Sequence, residues 1–102
     1  MPTFVTLIRY ESFETMADVD PEEFLEPTRA IIRAHDGELQ EYYLTMGQYD
    51  AVAVASFPDA EAATRAYLTL LQHGGAETET LRAFTENETR DIIGVLSEPG
   101  AA

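Results

Sequence analysis

Leu44-Thr45-Met46-Gly47-Gln48-Tyr49-Asp50-Ala51-Val52-Ala53-Val54 places a glycine turn between two apolar runs. Gly47-Gln48 fits a two-residue connection with glycine at its first central position, the geometry whose twist matches that of antiparallel strands. The turn sets Met46 opposite Tyr49 and Thr45 opposite Asp50. Because side chains alternate along a strand, one face of this hairpin carries Tyr42, Leu44, Met46, Tyr49, Ala51 and Ala53, and the other Tyr43, Thr45, Asp50 and Val52. The two strands are expected over residues 39–46 and 49–57.

Outward from the hairpin, each flank supplies a strand and a helix. Residues 3–10, rich in β-branched and aromatic side chains, predict a first strand. Asp20-Pro21-Glu22-Glu23 offers a capping side chain, a proline suited to the first helical position and acids in the first turn. The helix it opens carries Phe24, Thr28, Ile31, Ile32 and His35 along one side and stops at Gly37. Pro27 inside the pattern predicts either a kink or a start delayed to Glu26. Pro58-Asp59 opens a second helix with Ala63, Tyr67, Leu70 and Leu71 as its buried stripe, ended by His73-Gly74-Gly75. Residues 77–84 form a fourth strand, and Thr85-Glu86-Asn87-Glu88 reads as a capping box ahead of a short helix bearing Ile92, Ile93 and Leu96. The last six residues, 97–102, are expected to be loose.

The order β-α-β-β-α-β with an extra C-terminal helix is the α+β, ferredoxin-like arrangement, here as one domain over 1–102. Two helices on a four-stranded sheet cover one face. Yet strand one presents Phe4, Ile8 and Tyr10 to one side and Val5 and Leu7 to the other, and strand three alternates Ala51, Ala53 and Ala55 with Val52 and Val54. Both faces are apolar, so both call for burial, and face-to-face packing with a second copy is the natural cover.

Composition narrows the partners. The 102 residues carry 19 acids against six basic residues, a net charge of −13, while 45% hydrophobic content excludes disorder. All six bases are arginine, and lysine is absent. This pattern is similar to that of proteins adapted to concentrated salt, in which a Debye length of about 3 Å at 1 M removes self-repulsion; a GC-rich genome accounts for the missing lysine but not for the acidity. Glu outnumbers Asp 13 to 6, where salt-adapted chains favour Asp. So negative a surface repels phosphate backbones, which argues against nucleic acid as a partner. The chain has no cysteine, hence no disulfide or thiol chemistry. No apolar run reaches the roughly 20 residues of a membrane span, and the N-terminus alternates like a strand, so a cytoplasmic location is expected.

The chain resembles the GYD-domain family of dimeric α/β-barrel proteins. The resemblance rests on Met1-Pro2-Thr3-Phe4, on Tyr43-Leu44-Thr45-Met46-Gly47-Gln48-Tyr49-Asp50, on Phe57-Pro58-Asp59 and on Thr78-Glu79-Thr80-Leu81-Arg82-Ala83-Phe84-Thr85. Only the segment between Tyr10 and Phe24 departs from it, being longer and more acidic. The family implies an oligomeric ferredoxin-like fold and no agreed activity.

Candidate site residues therefore come from the chain itself. Asp50 and Tyr49 are the candidates for catalysis: an acid in an apolar barrel can be tuned for proton transfer, whereas the same acid beside Thr45 can simply pin the hairpin. Tyr42, Tyr43 and Tyr49 are ligand-binding candidates, with Tyr10 and Tyr67 as further hydroxyls, although aromatics on a sheet more often pack. Arg9 and Arg82, on neighbouring strands, can clamp a carboxylate or neutralise nearby glutamates. His35 and His73 suit helix C-caps better than a metal site, and neither a metal nor a cofactor is expected. The leading expectation is a homo-oligomeric binding protein holding a small apolar or carboxylate-bearing metabolite between sheet and helices. The alternatives are a cofactor-independent enzyme of the monooxygenase or isomerase type found among dimeric α/β barrels, and an assembly module without a ligand.

Overall fold

The computed structural model describes residues 1–12 and 20–97. The loose tail expected over 97–102 therefore lies, past Ser97, outside the described residues. The elements run β1 (Thr3–Tyr10), α1 (Pro21–Ala34), β2 (Glu38–Leu44), β3 (Ala51–Ser56), α2 (Ala60–Gln72), β4 (Ala76–Ala83) and α3 (Glu86–Gly94), followed by a 3-10 turn, Val95–Ser97. The four strands form one antiparallel sheet in the order β2-β3-β1-β4, the ferredoxin-like order.

The hairpin has the register its turn dictates, with Leu44 opposite Ala51 and Tyr42 opposite Ala53. Its strands are shorter than expected, ending at Leu44 and starting at Ala51. One further bond, Thr45 N–H to the Asp50 carbonyl at 2.8 Å, closes the connection, and Gly47 sits at φ 120°. Met46 is 98% exposed and outside the ladder. The ladder stops there because the Thr45 hydroxyl donates to the Tyr49 carbonyl at 2.7 Å, and the Asp50 N–H crosses to the Ile8 carbonyl of β1 at 2.8 Å. At the other end a bulge between Leu39 and Glu41 shifts the pairing by one residue.

Helix α1 begins at Pro21, capped by the Asp20 carboxylate on the Glu22 N–H at 2.9 Å, and runs through Pro27, so the delayed start is not adopted. Its end differs from the expected glycine stop. Asp36 takes the left-handed conformation at φ 62°, with its N–H on the Arg33 carbonyl and the Gly37 N–H on the Ile32 carbonyl, a Schellman closure. Gly37 is needed for space: a Cβ there would stand 2.5 Å from the Phe57 ring and 2.8 Å from the Ser56 carbonyl oxygen.

The core lies on the helix-covered face, where Phe4 meets Phe57 edge-on at 5.9 Å and Ile32, Ala55, Ala62, Ala63 and Ala66 are buried around them. The buried stripe of α2 is thus Ala62, Ala63 and Ala66, while Tyr67 and Leu70 are only partly covered and Leu71 is exposed. Small side chains on both α2 and β3 let the first half of the helix sit close to the sheet. The other face carries Val5, Leu7, Val52 and Val54, all partly exposed, with no helix over it among the described residues. Helix α3 has its full capping box, Thr85 and Glu88 exchanging bonds of 3.2 and 2.9 Å, but buries none of its residues.

Candidate functional site

Between the helices and the sheet lies a cavity of about 340 Å³. β1 contributes Phe4, Thr6 and Ile8 to its floor, β3 contributes Ala53 and Ala55, and β4 contributes Thr78 and Thr80. Ile31 and Ile32 of α1 and Tyr67 and Leu70 of α2 form the roof. The space exists because the alanines and threonines of the floor are too short to fill the gap beneath the second half of α2. Its volume falls within the range of small-molecule sites, about 300 to 1,000 Å³.

Polar groups are few and specific. The Tyr10 hydroxyl, on the last residue of β1, pairs with the Tyr42 hydroxyl at 2.8 Å, and Phe24 stands edge-on to both rings at 5.4 and 6.3 Å. Burial, reinforced by the Tyr42 hydrogen bond, pushes the Tyr10 hydroxyl well above the ordinary tyrosine range, so it stays protonated and acts as a hydrogen-bonding group. The Tyr67 hydroxyl donates to the Thr78 carbonyl at 3.1 Å, and the Thr6 and Thr80 hydroxyls bond each other across β1 and β4 at 3.0 Å. His73 stands at the rim, its Nδ1 2.9 Å from the Thr69 carbonyl oxygen at the end of α2. Among the described residues the lining contains no arginine.

The residues singled out from sequence divide between this cavity and the open face. Tyr10 and Tyr67 line the cavity, and Tyr42 reaches it through Tyr10. Asp50 does not bond Thr45 through its side chain; its Oδ2 accepts the Tyr10 N–H at 2.9 Å and ties the hairpin to β1. Tyr49 belongs to a separate surface cluster in which its hydroxyl donates to Glu79 at 2.9 Å and the Arg9 guanidinium lies 5.3 Å from its ring. The Glu79 bond is the main cause of a raised Tyr49 pKa. Arg9 also donates to the Gln48 carbonyl at 3.1 Å and faces Glu77 at 3.6 Å. Tyr43 is exposed, its hydroxyl 3.4 Å from Glu41.

Arg82 is not brought to Arg9. Arg9 pairs in register with Glu77 and Arg82 with Phe4, five positions apart along β1 and hence on opposite faces. Arg82 instead stacks on Phe84 at 4.4 Å, meets Glu88 at 3.5 Å and donates to the carbonyls of Thr3 and Ala83. His35 and His73 cap α1 and α2, and among the described residues no three metal-ligating side chains cluster. The sequence reading missed the threonines. Their signal was Thr78 and Thr80 alternating with Glu77, Glu79 and Leu81, which puts hydroxyls where a helix-covered strand normally carries aliphatic side chains.

Known proteins place this architecture. The protein TTHA0845 from Thermus thermophilus is 28% identical, with a TM-score of 0.54 over 83% of this chain and 95% of that one. A hypothetical protein, PHS023 from Pyrococcus horikoshii, shares the fold at 17% identity, with a TM-score of 0.52 over 84% of this chain and 93% of its own. No protein with a curated description matches. No helix among the described residues is long and apolar enough to cross a membrane. The GYD domain matches residues 4–93, nearly the whole of the β-α-β-β-α-β unit together with α3, and the chain belongs to the GYD domain family.

Proposed function

We propose that this protein binds a small, largely apolar molecule in the cavity between sheet and helices, as a homo-oligomer whose second copy covers the open sheet face. The cavity itself carries the reading: about 340 Å³ walled by Phe, Ile, Leu and Ala, with a handful of hydroxyls converging on it. A carboxylate-bearing ligand suits it less, since Arg9 and Arg82 are engaged elsewhere and a buried carboxylate without a partner is strongly disfavoured. Catalysis has less support as well, because Tyr10 is held protonated and the Asp50 carboxylate is turned to the backbone of β1.

Titration with 1-aminoanthracene, a neutral fluorophore that brightens in apolar surroundings, tests the reading. Saturable uptake is expected, and Ala53→Leu, which grows into the floor, should weaken it about tenfold or more while the circular dichroism spectrum stays unchanged. Equal uptake by the folded variant, or none by either protein, rejects the cavity as the binding site.

A further inference from the structure

We infer that the Thr6–Thr80 hydroxyl pair is the polar anchor of this cavity, and that it selects an uncharged apolar ligand bearing a hydrogen-bond acceptor such as a ketone or aldehyde carbonyl. The inference rests on the binding reading above. Thr6 and Thr80 face each other directly in the β1–β4 register, and both line the cavity. Their hydroxyl oxygens stand 3.0 Å apart, so one donates to the other. Two hydroxyls own two protons, and one hydrogen bond uses one of them. The remaining O–H belongs to the accepting threonine, and among the described residues neither hydroxyl makes a further bond.

A spare donor in an apolar site seeks an acceptor, because a buried polar group without a partner is costly. Thr78, on the same face of β4, lines the cavity through its other atoms; its Oγ1 is buried without a hydrogen-bond partner among the described residues and presents no surface to a ligand. The spare O–H of the Thr6–Thr80 pair therefore gives the floor along β1 and β4 unmet hydrogen-bonding capacity, whereas β3 contributes only the methyl groups of Ala53 and Ala55. A ligand fitting both has its carbonyl toward β1 and β4 and its hydrocarbon body over β3 and beneath Ile31. Hydroxyls donate to carbonyl oxygens without needing a charge, and among the described residues no guanidinium lines the cavity to hold an anion.

The experiment measures displacement of 1-aminoanthracene by 2-heptanone, by its methylene isostere 2-methyl-1-heptene and by heptanoate. Wild type is compared with Thr6→Val/Thr80→Val and with Thr80→Ser. Valine has the shape of threonine and suits a strand, so the double variant should fold; Thr6→Ala/Thr80→Ala, which also removes both hydroxyls, serves if it does not. Losing one neutral hydrogen bond should weaken the ketone about tenfold, the equivalent of about 1.4 kcal/mol. The alkene should bind the valine variant as well as or better than wild type, Thr80→Ser should keep ketone affinity within about twofold, and heptanoate should be the weakest ligand of wild type. If the fluorophore enters but the ketone binds the valine variant as tightly as wild type, the anchor is wrong while the cavity reading stands. Heptanoate binding more tightly than the ketone also overturns the inference. Failure of the fluorophore to enter wild type removes the cavity reading and the anchor with it.

Discussion

Asp50 accepts the Tyr10 N–H at 2.9 Å in a partly buried position, which adds a side-chain tie to the β1–β3 ladder where the hairpin meets the end of β1. Asp50→Ala should therefore destabilise by about 1 to 2 kcal/mol, since a backbone donor loses a charged acceptor. Tyr49→Phe should cost less, because the lost partner, Glu79, is exposed. Urea unfolding of both variants checks the order; an Asp50→Ala protein as stable as wild type would free this acid for a role in chemistry. Gly37 presents a second single-residue constraint. Its missing Cβ would sit 2.5 Å from the ring of Phe57, itself buried in the core, and 2.8 Å from a backbone oxygen that no rotamer change can move away. Gly37→Ala should lower stability by about 1 to 3 kcal/mol through overpacking, read as a fall in the urea midpoint at unchanged slope. The glycine was visible in the sequence as a helix stop. Its reason was not, because Asp36 takes the left-handed turn and the crowding comes from Phe57, 20 positions away.

At the scale of elements, local signals held and long-range fit did not show. The capping side chains of Asp20, Asp59 and Thr85 act on N–H groups two or three residues on, so a short window of sequence suffices to see them. The hairpin register followed from Gly47 for the same reason. The buried stripe of α2 was placed only in part: Ala63 is buried as expected and Tyr67 and Leu70 face the cavity, but the approach of the alanine-rich β3 makes Ala62 and Ala66, not Leu71, the other fully buried positions. A ligand site between sheet and helices was expected from the sequence, but its size was illegible, since the volume depends on how far the second half of α2 stands from the floor. Helix α3 gives the test at this scale. Glu88 closes its capping box on the Thr85 N–H, and that bond, ahead of Arg82, holds the Glu88 carboxyl below its ordinary pKa. A folded-state pKa below the unfolded one contributes stability that is present above the ordinary glutamate value and lost as the pH falls through the depressed one. Acidification below about pH 4.3 should therefore fray α3. Amide exchange measured along the chain should lose protection in 86–94 before the sheet does, and Glu88→Gln, which keeps an acceptor but no charge, should flatten that pH dependence.

The whole molecule has more apolar surface than its helices cover. Its Cα radius of gyration is 16.2 Å, against about 13 Å for a compact chain of 100 residues. On the open face Val5 pairs with Val54 and Leu7 with Val52, and Tyr43 and Leu81 beside them are 54% and 44% exposed. On α3, Ile92 and Ile93 are each more than half exposed. Glu41, Glu77 and Glu79 border the same sheet face, so bringing two copies together across it also brings two acidic rims together, each on a chain of net charge −13. Repulsion between exposed charges is screened within about 3 Å at 1 M salt, whereas apolar burial is not weakened by it. The melting temperature should accordingly rise from dilute buffer to molar KCl; a flat or falling one removes salt adaptation as the reason for the acidity. Association should follow the same dependence. Light scattering after size exclusion in molar KCl should give at least twice the mass of the 11.3 kDa chain, shifting toward monomer as salt is withdrawn. Val52→Glu puts a carboxylate at the centre of the face, opposite Leu7, and should yield a folded monomer even in molar KCl. A wild-type monomer at micromolar concentration in high salt would show that the open face is not covered by a second copy, and a Val52→Glu protein that stays oligomeric would move the contact to another surface, with exposed α3 the first to examine.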